Sequence, residues 1–583
     1  MIPISRRLTR WLLAALLALS AGLHAESVVR DRTSMADIPL ITGQLPQCPD
    51  NRAMIKPILG TRGAVVAPHS LASQAGLAIL QEGGNAIEAT IAVAATLAVV
   101  YPHMTGIGGD GFWLLRAPGQ PMLSIDACGR TGSAVHAGLY GDAASIPWRG
   151  PLAANTVAGT VSGWAAAFAH SQAAWGGKLP FARLLEAAIA YARDGFPVTH
   201  SQEENTRAKR AELEALPGFA ASFMPDGEVP RYGARHRFPA LAATLQQLAD
   251  AGPDDFYQGD LAQMIAQDLA QVGSPVDAAD LAAHQASLQP PLSLQLAAGR
   301  LYNLSPPTQG LASLLILGAY ERLHQPGWSP DNAEGIHALV EATKQAFLLR
   351  DRHVADPARM TLAATELLTD AVLQRLAAAV QLESASPWPA PASDGDTTWM
   401  GVIDAQGRAV SMIQSIYFEF GSGVVLPTTG ICWQNRGCSF DLAPGRLRSL
   451  APRTKPFHTL NPALAELADG RLLVYGTMGG EGQPQTQAAV FARTVWGGHN
   501  VRSAIAAPRW LLGRTWAEPS TTLKLEARYA PAIIDRLRAL GHPVEVVADF
   551  DERMGHAGAL MLHPEGWIEG GEDPRSDGGV AAW

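Results

Sequence analysis

The chain reads as an α+β protein, with helices dominating its first two thirds and strands its last third. Three observations carry that reading. Apolar residues recur at helical spacing up to about position 381, alternating and continuous apolar runs take over from Thr397, and a segment rich in Pro, Ala and Ser, from Ser384 to Asp396, separates the two textures. Ordinary composition, 47% hydrophobic and 17% charged over 583 residues, provides ample material for a large core. Composition does not choose between two domains and one layered domain built by both halves.

At the N-terminus, Arg6, Arg7 and Arg10 precede the apolar run Trp11 to Leu23, which closes on Leu23-His24-Ala25 before Glu26. This is the pattern of a signal peptide, residues 1–25, removed after Ala25, and it predicts a periplasmic or secreted protein. Arg6-Arg7 also invites a twin-arginine reading, which the following residues match less well than general secretion; an uncleaved anchor is the alternative. No other stretch reaches the roughly 20 apolar residues of a spanning helix, so no stable membrane span is expected.

The net charge of -9 and pI near 6.0 lack the basic footprint of a nucleic-acid binder and favour a small-molecule partner. Four cysteines are too few for disulfides to be the main source of stability, although Cys432 and Cys438 could bridge locally in an oxidising compartment. Sixteen histidines include no HExxH and no Cys/His array with ligand spacing, so neither a metal nor another cofactor is expected.

The spacing predicts a helix over 71–81, ended by Gly83-Gly84, and a second over 86–100 that is apolar on almost every side and therefore buried. Gly106-Ile107-Gly108-Gly109-Asp110-Gly111 spells the dinucleotide fingerprint GxGxxG, but a helix precedes it and the strand-like Phe112 to Leu115 follows it. That order is the reverse of what places a pyrophosphate on a helix N-terminus, so no nucleotide site is expected. Further helices are predicted over 179–194, 239–250, 333–350 and 362–381. Beyond the linker come a strand over 397–404, a turn at Ala405-Gln406-Gly407, a returning strand over 408–416, and a strand over 471–475 that runs into Gly476-Thr477-Met478-Gly479-Gly480. Leu560 to Leu562, Pro564-Glu565-Gly566 and Trp567-Ile568 suggest a late hairpin.

Thr397 opens a strand directly after a flexible linker. Taken with Gly83-Gly84-Asn85-Ala86, Pro102-His103, Gly106 to Gly109, Phe420-Gly421-Ser422-Gly423, Gly476 to Gly480 and the glycine-rich stretch 570–579, it resembles the gamma-glutamyltransferase (gamma-glutamyltranspeptidase) family from about Gly63 to the end. The resemblance implies the N-terminal nucleophile (Ntn) hydrolase fold, a four-layer αββα sandwich. It also implies a zymogen cut after Asp396 into a large subunit, 26–396, and a small subunit, 397–583. Chemistry agrees with that placement. A threonine hydroxyl needs a base within hydrogen-bond reach, and an α-amine freed on the same residue supplies one. By resemblance, the N–H groups of Gly479 and Gly480 form the oxyanion hole; read alone, Gly479-Gly480 is a turn.

The sequence leaves the family pattern where that family holds its glutamyl amine and carboxylate. Tyr417 stands in place of an asparagine, Cys438-Ser439-Phe440 in place of Asp-Asp-Phe, and His458-Thr459 in place of paired serines. Arg130 is the nearest counterpart of the carboxylate-gripping arginine, at shifted spacing. Arg436 falls where the family has an uncharged residue; it either grips a carboxylate bidentately or makes a structural ion pair. Ser415 and Thr398 either orient Thr397 or are satisfied by backbone. The expected site is thus Thr397, Gly479 and Gly480 as catalytic residues, with Arg130, Ser415, Tyr417, Arg436, Ser439, His458 and Thr459 around the substrate. These departures resemble the branch with oxamate amidohydrolase-like and acylase-like members, and predict an amidohydrolase of a small carboxylate-bearing amide. Gamma-glutamyl transfer survives only if other residues replace the lost clamp. A dedicated acylase for larger side chains and an unprocessed exported binding protein are the rivals.

Overall fold

The computed structural model describes residues 55–583, apart from 324, 326–327, 389–395 and 514–519. The signal-peptide expectation, Cys48 and the middle of the linker lie outside the described residues. Within them, no helix is long and apolar enough to cross a membrane.

The two textures of the sequence do not become two domains. Residues 54–583 form one unit, and two seven-stranded sheets each draw strands from both sides of Thr397. One runs in the order Gly579–Ala582, Gly63–Ala67, Asp396–Asp404, Ala409–Tyr417, Asp110–Arg116, Leu123–Ala127, Ser287–Gln289; the other in the order Ile58–Gly60, Ile568–Glu572, Ala557–Leu562, Leu472–Thr477, Ala463–Leu467, Gly299–Asn303, Leu292–Leu296. Every pairing within these two sheets is antiparallel.

Side-chain alternation shows how the sheets stack. Trp399 and Ile403, with Phe112 and Leu114 from a neighbouring strand, meet Leu464, Leu472, Val474 and Leu560 of the second sheet in a shared inner core. The intervening Met400, Val402, Trp113 and Leu115 face the opposite way, against the helices Ser70–Gln81, Ala86–Val100 and Phe181–Asp194. On the far side, Leu473 and Tyr475 pack with helices Gly310–Leu323 and Ala333–His353. The result is the expected four-layer αββα sandwich. Both faces of each sheet are covered, which explains why the strands read as near-continuous apolar runs.

Local signals account for several elements. Helix Ala86–Val100 is buried along its whole length, and a reciprocal capping box between Asn85 and Glu88 starts it. The glycines of 106–109 serve packing: a Cβ on Gly109 would lie 2.0 Å from the Ser415 carbonyl oxygen. Strand Asp110–Arg116 follows them, as the rejection of a nucleotide site requires. The helix expected over 362–381 is shorter, a single turn Glu366–Leu368 and then Asp370–Ala378, because Thr369 is extended at ψ 154° and breaks it. Cys432 and Cys438 do not bridge to each other; the Cys432 thiol instead donates to the Phe420 carbonyl at 3.2 Å.

Candidate active site

Thr397 lies fully buried at an irregularity between the two central strands of its sheet. Asp396 pairs with Tyr417 but Thr398 with Gln414, so the returning strand carries one extra residue opposite Thr397. That bulge has visible causes. Tyr417 adopts φ +84°, a conformation uncommon for a residue with a Cβ. The Ser415 hydroxyl accepts from the Tyr417 N–H at 2.8 Å, and the Asn435 side chain accepts from the Phe418 N–H at 3.1 Å. Ser415 therefore shapes the backbone beside Thr397. Thr398 takes the backbone-satisfied alternative, donating to the Gln414 carbonyl at 3.0 Å.

Opposite this bulge, strand Leu472–Thr477 runs into Gly479 and Gly480, whose φ values of +120° and +50° favour glycine. Gly479 caps and Gly480 begins a single helical turn, Gly480–Gly482, which continues into helix Gln483–Phe491. N–H groups at such a start have no partner inside the helix and are free to face an anion. From the same turn, the Gln483 carboxamide donates to the Thr397 hydroxyl at 3.3 Å.

Arg436 lies across from these elements. Its guanidinium carbon is 3.4 Å from the centre of the Tyr417 ring, and its Nη2 donates to the Thr459 hydroxyl at 3.1 Å. The side chain is wholly buried, its Nε and Nη1 have no hydrogen-bond partner, and no carboxylate among the described residues pairs with it. Burial lowers its pKa, yet a guanidinium stays charged in proteins. Gln309 closes the circuit, its Nε2 donating to the carbonyls of both Thr459 and Gly480 at 2.8 and 2.7 Å. Contacts thus pass from Thr397 through Gln483, Gly480, Gln309, Thr459, Arg436 and Tyr417 back to Asp396.

The remaining candidates lie beside this ring or away from it. His458 Nε2 meets the Asp110 carboxylate at 3.0 Å, while its Nδ1 has no partner. Burial, with the charges of Arg436 and Lys455, holds His458 well below the usual histidine range, so it is neutral. Ser439 donates to the Phe457 carbonyl at 3.3 Å. Arg130 binds Asp356 at 3.2 Å and the Arg453 carbonyl at 3.0 Å, half-exposed, in the wall of a cavity of about 410 Å³ shared with Cys128, His284 and Lys455.

Asp110, Cys128 and His458 bring potential metal-ligating atoms within 4.8 Å of one another. The Asp110 Oδ1 already accepts from the N–H groups of Gly129 and Gly159 and from Gln434. Burial drives the Cys128 thiol well above its usual range. In this structure the Asp110–His458 hydrogen bond links the buried cluster.

Gamma-glutamyltranspeptidase is the family profile that matches, over residues 72–583. The chain belongs to this family. Within it, this gamma-glutamyltranspeptidase-family member is 56% identical to an oxamate amidohydrolase proenzyme of Klebsiella pneumoniae, over 90% of this chain and 99% of that protein. An acylase ACY 1 proenzyme of a Pseudomonas species is 31% identical over 92% of this chain and 96% of the relative. Among solved structures, a cephalosporin acylase from Bacillus halodurans superposes with a TM-score of 0.82 at 31% identity, covering 94% of this chain and 99% of that one. The protein is therefore an enzyme of the Ntn hydrolase type, with the α+β fold its sequence predicts.

Proposed function

We propose that this protein is an exported, self-processed amidohydrolase of the oxamate type, in which Thr397, freed by cleavage after Asp396, hydrolyses a small amide bearing a carboxylate. One observation carries the substrate class. Arg436 is a fully buried cation with two guanidinium nitrogens unsatisfied. A lone buried charge costs several kcal/mol unless paired, and a carboxylate entering with the substrate completes it through charge-assisted hydrogen bonds. The neutral His458 beside Thr459 offers an unpartnered Nδ1 as acceptor for a substrate N–H. The likeness to the oxamate amidohydrolase proenzyme supports the same reading.

In the precursor the Thr397 hydroxyl attacks the Asp396 carbonyl carbon, the amide becomes an ester, and water hydrolyses it. Residues 26–396 and 397–583 are the two products. In the mature enzyme the Thr397 amine takes the hydroxyl proton as Oγ bonds to the substrate carbonyl carbon. Negative charge gathers on the carbonyl oxygen, where the Gly479 and Gly480 N–H groups receive it; one such donor is typically worth about 2.7–4 kcal/mol. The proton passes to the departing nitrogen, which leaves as ammonia from an unsubstituted amide. Water then enters by the same base and releases the acid. The mechanism asks nothing of a metal or cofactor.

The stacked rings of Tyr417 and Phe418, 4.5 Å apart, favour a second reading, an acylase taking a larger apolar acyl group. A substrate panel on purified, processed protein separates the readings. Ammonia release from oxamate well above the rates of glutathione cleavage and of acyl-amide cleavage is expected; efficient glutathione turnover without oxamate turnover overturns the proposal.

A further inference from the structure

Gln483 is buried at the start of its helix, and its two polar atoms have unequal fates. Nε2 donates to the Thr397 Oγ1 at 3.3 Å, whereas Oε1 has no hydrogen-bond partner among the described residues. A buried carbonyl without a donor costs free energy comparable to a lost hydrogen bond, and such an exception asks for an explanation. The described residues of the uncut chain provide none.

Cleavage after Asp396 does. It converts the Thr397 backbone amide, with one N–H, into an amine with two N–H groups and a lone pair. That lone pair must face Oγ if the amine is to act as base, so an acceptor is needed to hold the N–H groups away from it. We infer that Gln483 is the positioning residue of the mature nucleophile, its carboxamide bridging Thr397 by donating from Nε2 to Oγ1 and accepting at Oε1 from the new α-amine. The inference rests on the proposed role of Thr397. Geometry suits it, because the two amide heteroatoms share one carbon while the Thr397 nitrogen and Oγ are separated only by Cα and Cβ. The orphaned oxygen of the precursor is thus a docking point for the group that maturation creates.

Gln483→Leu removes both polar atoms, and Gln483→Glu keeps the acceptor but makes it anionic. Both variants are compared with wild type as the two-chain form, isolated after maturation, with melting temperature as the check on folding. For Gln483→Leu, kcat falls about 10- to 100-fold with KM changed little, the scale expected when a base or nucleophile is misplaced by a fraction of its reach. In Gln483→Glu, negative charge beside the amine favours its protonated form, so the acidic limb of the kcat/KM profile moves to higher pH by about one unit. A folded, processed Gln483→Leu enzyme with wild-type kcat overturns the inference, as does a Gln483→Glu enzyme whose acidic limb stays in place. Failure of the functional proposal is distinct, since it shows in the wild type itself as absent cleavage or absent turnover.

Discussion

The Arg350 guanidinium donates to the Gln309 side-chain oxygen at 2.8 Å, leaving the Gln309 nitrogen to bind the carbonyls of Thr459 and Gly480. Arg350 is itself fully buried and pairs with Glu481 at 3.2 Å. The segments carrying Thr459 and Gly480 are therefore held together by one buried cation through one amide.

Arg350→Met removes the cation and leaves the buried Glu481 and Gln309 groups short of a partner. Breaking a buried pair in this way typically costs about 3–5 kcal/mol. The expected outcome is a clear fall in melting temperature with turnover reduced in the surviving folded fraction. Gln309→Leu should reduce turnover with a smaller loss of stability, since it strands two carbonyls and one Arg350 N–H but leaves the Arg350–Glu481 ion pair in place. Thermal unfolding alongside oxamate kinetics distinguishes the two effects.

Arg436 is expected to act on substrate capture. Its Lys replacement keeps a charge but loses the planar fork and the stack on Tyr417. Hydrogen bonds to charged groups are typically worth about 1.5–3 kcal/mol, so kcat/KM for oxamate should fall about 10- to 100-fold, mainly through KM. Arg436→Met should fall further. Unchanged KM in both variants contradicts a carboxylate-binding role.

Acid should destabilise the fold well before carboxylates protonate. Burial lowers His103 to about 3 and His69 to about 4, whereas an unfolded histidine titrates near 6.5. Between about pH 6.5 and 4 the unfolded chain binds protons that the folded chain refuses, so stability falls as pH falls. Glu552 belongs to a lower window. Burial opposes it, but His556 and Ser201 hold its carboxyl down to about 2, so its contribution is present above the unfolded value of 4.5 and is lost as pH falls through about 2. Melting temperature should decline from pH 7 to pH 5, and His103→Gln should flatten that decline. A flat profile in wild type contradicts the assignment.

Much of this was legible in the sequence because the signals are local. Gly83-Gly84 and the near-continuous apolar run after it announce the buried 86–100 helix, and the linker before Thr397 marks the change from helices to strands. Strand partners were not legible, since Gly63–Ala67 lies between strands from the far end of the chain. The contacts that close the site were missed for the same reason. Gln309, Arg350 and Gln483 meet their partners across 41 to 171 positions of chain, with no spacing to reveal them. Gln483 did leave one trace, a polar Glu-Gly-Gln directly after Gly479-Gly480, where burial behind a strand favours apolar residues. Thr369, by contrast, broke an apolar pattern that periodicity alone continued.

The central claim is that Thr397 cuts the chain that carries it. Intact mass of the purified wild type beside Thr397→Ala tests it most directly. At the chain's mean of 61.6 kDa over 583 residues, residues 26–396 and 397–583 correspond to chains of about 39 and about 20 kDa. The account predicts these two chains in the wild type and one uncut chain in the variant; a folded wild type that stays whole, or a variant that is still cut at the same bond, contradicts it.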